Sequence, residues 1–124
     1  MSNGPTVDEA FDRVSDQVHK RIKEQLGNKK MYLVYSAYDF DENGDPVDNL
    51  DKVALEGTVR FYNRPSGDPR GKNYFSEPVT DPTWLQVAVL ANEMIKTTRF
   101  FSHKFLEGVR KGTHGNLAYF SMGS

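Results

Sequence analysis

The chain has 124 residues and no cysteine, and its 16 basic and 17 acidic side chains leave a formal net charge of −1. This balance lacks the basic excess of a typical nucleic-acid binder, so we expect no nucleic-acid partner, and the missing cysteine excludes disulfides and Cys-based metal sites. The start is polar, and no apolar run approaches the roughly 20 residues that span a bilayer, so we expect a cytoplasmic protein without a membrane partner. The length fits a single domain, residues 6–124, after a flexible end of residues 1–5.

The first predicted element is an amphipathic helix of about 20 residues. Thr6 and Glu9 match the S/T-x-x-E capping box that begins many helices. Apolar side chains then recur in steps of three and four: Val7, Ala10, Phe11, Val14, Val18, Ile22 and Leu26. Gly27 followed by Asn28 is a common signal for a helix C-terminus, so the helix is expected to end there.

Two strands are predicted next. Residues 31–40, MYLVYSAYDF, carry apolar side chains on both alternating faces, which is typical of an inner strand or of one covered on both sides. Residues 52–62 alternate between apolar and polar and predict a half-buried strand. We expect the two to pair as a hairpin around the polar residues 41–49. Residues 63–80 lack periodicity and hold three prolines and two glycines, so they predict an irregular connection.

The second predicted helix, residues 81–97, has little polar surface. Asp81 and Pro82 predict its cap and first position. Six apolar side chains fall on one face at helical spacing: Trp84, Val87, Ala88, Ala91, Met94 and Ile95. Leu85, Val89 and Leu90 place further apolar groups on the flanks, whereas a surface helix usually has a single apolar stripe. We therefore expect the surface formed by Trp84, Leu85, Val89 and Leu90 to contact another chain.

The last two predicted strands are residues 99–111 and 117–122, joined by the turn sequence GTHGN. The element order is then α-β-β-α-β-β. This order predicts the α+β class, with a four-stranded antiparallel sheet and two helices on one face. In shape the arrangement resembles cystatin-like folds, in which a helix packs on a curved sheet.

One loop resembles part of a calcium site. Asp39, Asp41, Asn43 and Gly44 match the D-x-D-x-N-G half of a calcium-binding loop. Leu50 stands at the twelfth position, where the complete motif has a bidentate Glu, and the flanks are predicted strands instead of helices. We expect residues 39–51 to form a solvated turn with at most weak calcium affinity, and no tightly bound metal or other cofactor.

Two further groups of side chains could bind a ligand. His103 and Glu107 are predicted to share one strand face, where they could do acid–base work or bind a small ligand in a pocket between the curved sheet and the first helix. The alternative interpretation is an ordinary hydrogen-bonded surface histidine.

Arg64 and Arg70 lie among aromatic residues in the long loop, a mixture that can bind phosphates. Asp68 and Glu77 dilute this charge, so we interpret the loop as a protein-contact segment or simply a mobile one.

No catalytic residue stands out, so we expect a non-enzymatic interaction or accessory protein that self-associates through helix 81–97 or a sheet face. The main alternative is a pocket that includes His103 and Glu107 and that binds a small ligand or acts on it as an enzyme. We favour the first hypothesis because the apolar excess spans several residues, whereas the pocket depends on two polar side chains.

Overall fold

The computed structural model describes residues 7–65 and 67–124. In chain order the elements are α1 (Val7–Leu26), β1 (Val34–Tyr35), β2 (Asp39–Phe40), β3 (Pro46–Val47), β4 (Thr58–Asn63), β5 (Tyr74–Phe75), β6 (Val79–Thr80), α2 (Trp84–Thr98), β7 (Phe105–Lys111) and β8 (Leu117–Gly123).

Helix α1 confirms the first predicted element. It ends at Leu26, and Gly27 adopts a φ of 64°, a left-handed conformation that glycine reaches without the steric cost of a side chain. Val18 and Ile22 are fully buried on its inner face. Thr6 of the predicted capping box, and residues 1–5 of the predicted flexible end, lie outside the described residues.

The main sheet has six strands with mixed directions. β7 and β8 form an antiparallel hairpin at its centre. β1 pairs with β7 and β4 pairs with β8, both in parallel, while β5 and β6 pair antiparallel with β4. β2 and β3 form a separate two-stranded sheet. The α+β class is confirmed, but the four-stranded antiparallel sheet and the order α-β-β-α-β-β are wrong.

The predicted hairpin between residues 31–40 and 52–62 is also wrong, because β1 and β4 lie on opposite sides of the β7–β8 hairpin. β1 is a two-residue edge strand, not an inner one. His19 of α1 accepts a hydrogen bond at Nε2 from the Tyr35 N–H at 2.9 Å, and its Nδ1–H donates to the Ser15 carbonyl at 2.7 Å. These hydrogen bonds hold β1 against helix α1.

The other strands are shorter than predicted. β4 begins only at Thr58, and Val53, which is half exposed, forms an isolated bridge with Thr83. Residues 99–104 are not a strand, because Arg99 adopts a left-handed conformation that ends α2 and β7 begins at Phe105. The segment 63–80 is less irregular than predicted, because it contains β5 and β6.

The N-cap of helix α2 lies two residues later than predicted. Thr83 is the N-cap: its Oγ1 accepts from the Gln86 N–H at 3.3 Å, and Gln86 Oε1 accepts from the Thr83 N–H at 2.8 Å. Asp81 instead has a φ of 45° and accepts a hydrogen bond from the Gly57 N–H. The capping box of Thr83 and Gln86 therefore sets the start of the helix, and Pro82 precedes it.

The core lies between the sheet and the two helices. Helix α2 contributes its inner face: Val87, Ala88, Ala91, Met94, Ile95 and Thr98 are buried. In the sheet, Phe61 of β4 and Phe120 of β8 stack with ring centroids 4.4 Å apart. Within residues 7–65 and 67–124, neither helix combines the length and apolar character that crossing a membrane requires.

Candidate functional site

The outward face of α2 changes character along the helix. With 3.6 residues per turn, one arc of the helix carries Leu85, Gln86, Val89, Leu90, Glu93, Lys96 and Thr97. The opposite arc is buried in the core. The outward arc is mainly apolar in its first two turns and polar in its last turn, and a cavity lies against each half.

The first cavity, called the apolar groove below, has a volume of about 460 Å³. Its lining consists of Gln25, Val79, Thr83, Leu85, Gln86, Val89 and Leu90. None of these side chains is charged. Leu85, Val89 and Leu90 are half-buried and pack partly on the core, so each presents only part of its side chain to the groove. Trp84, the fourth residue of the predicted surface, instead packs its ring edge-on to Tyr35 at 6.3 Å.

The second cavity, called the basic cavity below, lies beside the C-terminal half of α2 and has a volume of about 520 Å³. Its lining consists of Lys29, Lys30, Tyr32, Arg70, Lys72, Tyr74, Asn92, Glu93, Lys96 and Thr97. It thus brings five cationic side chains together with one carboxylate. Of the residues that the sequence indicated for binding, only Arg70 lines this cavity.

Asn92 fixes one wall of the basic cavity. Its side chain is buried in α2, and its Nδ2 donates a hydrogen bond to the Lys30 carbonyl at 2.9 Å. Its Oδ1 accepts hydrogen bonds from the backbone N–H groups of Tyr32 at 2.6 Å and Leu33 at 3.2 Å. These three bonds hold the backbone of Lys30 and Tyr32 against α2, although the two residues are about 60 positions earlier in the chain.

Asp68 fixes the opposite wall. Its carboxylate accepts hydrogen bonds from the Arg70 backbone N–H at 2.8 Å, from the Arg70 guanidinium and from Arg99 Nε at 2.9 Å, and these bonds lower the pKa of Asp68. The Lys72 N–H donates to the Thr97 carbonyl at 2.9 Å. The loop that carries Arg70 and Lys72 is therefore joined to the end of α2.

Gly71 allows the loop to approach the end of α2 this closely, because a side chain at that position would collide with the backbone carbonyl of Thr98.

The charges of the basic cavity are only partly paired. Glu93 accepts from Lys29 Nζ and from the Tyr74 hydroxyl, both at 3.4 Å. Burial, together with Glu93, raises the pKa of Tyr74, so its hydroxyl remains a donor. Among the described residues, no ion pair joins a carboxylate to Lys30, Lys72 or Lys96. Three ammonium groups around this cavity therefore lack a carboxylate partner.

His103 and Glu107 are not brought together in the way the sequence indicated. His103 precedes β7 and lines a small cavity of about 160 Å³ beside Met94 of α2. Its ring meets Phe100 edge-on at 4.7 Å. Glu107 lies within β7, exposed and close to Gly123, and does not line that cavity. The alternative hypothesis of a pocket between the sheet and α1 therefore loses this pair of polar residues.

In the loop that resembles a calcium site, the carboxylate oxygens of Asp39 and Asp41 contact other groups of the protein. Asp41 Oδ1 accepts hydrogen bonds from the backbone N–H groups of Asn43 at 2.8 Å and Asp45 at 3.0 Å, which stabilises the turn between β2 and β3. Lys52 Nζ pairs with Asp39 at 3.2 Å. In the part of the chain that the structure describes, no three His, Asp or Glu side chains are grouped so as to hold a metal ion.

Arg64 is separated from the site to which Arg70 contributes. It is exposed just after β4 and does not line the basic cavity. The sequence pattern did indicate a mixture of basic and aromatic groups in this loop. Lys72 belongs to this loop, but the pattern could not indicate Lys29, Lys30 and Lys96, because they come from the segment after α1 and from α2.

The chain matches no protein-family model, no curated protein and no solved structure. The two surfaces on α2 are therefore interpreted from their geometry and chemistry.

Proposed function

We propose that this protein is a non-enzymatic interaction protein that associates with a second copy of itself through the apolar groove. One observation carries the proposal: the outward-facing side chains of Leu85, Val89 and Leu90 line a groove whose lining holds no charge. Apolar patches of this kind are common at interfaces, where they are removed from water on association.

The chemistry of the groove favours a second copy as the partner. A two-fold symmetric interface brings the same patch of both subunits together, so a charged residue near its centre would meet its own like charge. The groove avoids this repulsion. Gln25 and Gln86 at its rim can both donate and accept hydrogen bonds, so they can pair with the same residues of another copy.

The same lining supports a non-enzymatic role for the groove. It contains no titratable side chain that could act as an acid or a base. Its one hydroxyl, that of Thr83, caps helix α2 by accepting from the Gln86 N–H.

The test is sedimentation of the purified protein over a wide concentration range. We expect a mass near twice 14.1 kDa at high concentration. Leu90→Glu should raise the dimer dissociation constant at least about tenfold, because two unpaired carboxylates would enter the interface. Phe40→Glu is the matched control: it places the same charge on a large exposed apolar residue in the β2–β3 hairpin, and it should leave the dissociation constant unchanged.

A second variant separates association from folding, because Leu90 also packs partly on the core. Gln25 is exposed on α1 at the groove rim, so Gln25→Arg should leave the melting temperature unchanged and still weaken the dimer. A wild-type protein that stays monomeric at every concentration would refute self-association.

A further inference from the structure

We propose that the basic cavity binds the phosphate chain of a small anion, such as an inorganic polyphosphate or the di- or triphosphate of a nucleotide. This site is independent of the proposed self-association, because the apolar groove and the basic cavity have no lining residue in common.

The charge around the basic cavity points to a multiply charged anion. Glu93 is occupied by Lys29 and the Tyr74 hydroxyl, and Arg70 is occupied by Asp68. Lys30, Lys72 and Lys96 remain, each exposed and without a carboxylate partner in the described chain. Three such charges around a concave surface repel one another until an anion lies between them, and a chain of phosphates supplies comparable negative charge.

The cations of this cavity that lack a carboxylate partner are of a type that commonly binds phosphate. The planar guanidinium of arginine binds carboxylate and phosphate alike through two parallel hydrogen bonds, whereas the lysine ammonium is a compact point charge that commonly binds phosphate. The arginine of this cavity, Arg70, already directs Nε and Nη2 to the Asp68 carboxylate, each at 3.2 Å. The unpaired donors are all lysines.

The cavity is held in shape before any ligand arrives. Asn92 fixes the wall that carries Lys30, and Asp68, through Arg70 and Arg99, fixes the loop that carries Lys72. Its volume of about 520 Å³ lies within the range of small-molecule sites. A preformed site loses less entropy on binding than one that must assemble around its ligand.

One feature of the fold opposes an anion here, since the C-terminal end of a helix carries partial negative charge. This end of α2 contributes about half an elementary charge at most, and Lys96 in the last turn offsets it. The three unpaired ammonium groups therefore dominate the local field.

A second, shallower cavity continues from the first. It has a volume of about 390 Å³ and shares Lys30 and Tyr32 with the basic cavity. Its lining also includes Phe101, which is 41% exposed and lies 5.4 Å from the Tyr32 ring between centroids. A planar group attached to the phosphate chain could contact these aromatic rings, which distinguishes a nucleotide from an inorganic polyphosphate.

The test is calorimetric titration of the intact protein, at low salt, with sodium tripolyphosphate and, separately, with adenosine triphosphate. We expect both to bind, with affinity that falls as salt is added. Lys72→Gln/Lys96→Gln should weaken binding at least about tenfold, because two of the three unpaired charges are removed. Lys20→Gln/Lys23→Gln is the matched control: it removes the same charge from exposed positions on α1 and should change binding less than about twofold.

Comparison of the two ligands identifies the source of the phosphates. Tighter binding of adenosine triphosphate supports a nucleotide whose ring uses the shallower cavity, and equal binding supports an inorganic polyphosphate. Failure of both to bind overturns the proposal. So does equal weakening by the two double variants, or binding of citrate as tight as that of tripolyphosphate.

Lysine acetylation followed by mass spectrometry gives a second test, which uses the wild-type protein. Tripolyphosphate should protect Lys30, Lys72 and Lys96 from the reagent and leave Lys20 and Lys52 unprotected. Uniform protection of all five lysines would also overturn the proposal.

Discussion

Tyr35, in a segment that looks apolar in the sequence, forms a buried polar pair with Asn49. Each is 1% exposed. The Tyr35 hydroxyl donates to Asn49 Oδ1 at 2.7 Å, and Asn49 Nδ2 donates to the Ala37 carbonyl at 2.8 Å. Burial raises the pKa of Tyr35, so its hydroxyl stays a donor at neutral pH. The pair therefore joins the end of the polar residues 41–49 to strand β1.

Removing the Tyr35 hydroxyl should leave the Asn49 amide oxygen buried without its partner. Tyr35→Phe is expected to lower the free energy of unfolding by about 1–3 kcal/mol, measured by urea denaturation. Tyr119→Phe, at a half-buried position of β8, is the matched control and should cost less than about 0.5 kcal/mol.

Equal losses in the two tyrosine variants would show that the bond to Asn49 does not stabilise the fold. A double variant with Asn49→Ala gives a further check. It should cost less than the sum of the two single changes, because both residues serve the same hydrogen bond.

The contacts of a single polar residue, Asn92, also explain why most of the basic cavity could not be predicted from the sequence. Asn92 is a polar residue within the apolar helix α2, and the structure buries its side chain. Its partners, the backbone groups of Lys30, Tyr32 and Leu33, lie about 60 positions away, and no local pattern indicates such a contact. Periodicity did indicate Leu85, Val89 and Leu90, because their position depends on helix geometry alone.

At the scale of elements, the helices and the last strand could be predicted because their signals are local. The stop at Gly27 and the periodicity of α2 depend on neighbours within a few residues. The start of α2 was misplaced because the Asp81–Pro82 signal competes with the capping box of Thr83 and Gln86, which makes two hydrogen bonds in the structure. Strand pairing depends instead on distant partners, so the separation of β1 from β4 left no local signal.

An ion pair joins α1 to the segment after β3. Arg21 donates to Asp48 at 2.8 Å and to Asp51 at 2.6 Å. Burial opposes ionisation of Asp48, but hydrogen bonds from Arg21 and the Leu50 N–H outweigh it and lower the pKa of Asp48 below its ordinary value of 3.8. The stability that this carboxylate contributes is therefore fully present above that value, and it is lost as the pH falls through the lower folded-state pKa.

We therefore expect acid to destabilise the wild-type protein more steeply than Asp48→Asn. The measurement is the free energy of unfolding at several values from pH 7 down to pH 2. Above about pH 4 the substitution should cost about 1 kcal/mol, and this difference should shrink at lower pH. Arg21→Gln should also flatten the acid dependence, because it removes a main cause of the shift. A difference between wild type and Asp48→Asn that does not change with pH would contradict this account.

At the scale of the whole molecule, the C-terminal hairpin β7–β8 connects strands from earlier in the chain. β1 depends on β7 for its pairing, and β4 depends on β8. The apolar groove likewise combines Gln25 of α1 with Val79 of β6 and residues of α2, and the basic cavity combines the segment after α1 with residues 70–74 and the end of α2. The whole chain from α1 to β8 should therefore unfold as one cooperative unit, as the sequence predicts for a single domain.

A substitution that creates a cavity at the centre of the sheet tests this cooperativity. Leu106 of β7 is fully buried, and Leu106→Ala should lower the free energy of unfolding by about 2–5 kcal/mol. Hydrogen exchange should then show the same loss of protection in the slowest amides of β4, β8 and α2, because they open only by global unfolding. Val53→Ala, at a half-exposed apolar position, is the control and should cost less than about 0.5 kcal/mol. Loss of protection confined to β7 and its neighbours would show that the hairpin opens alone, and that the chain contains more than one cooperative unit.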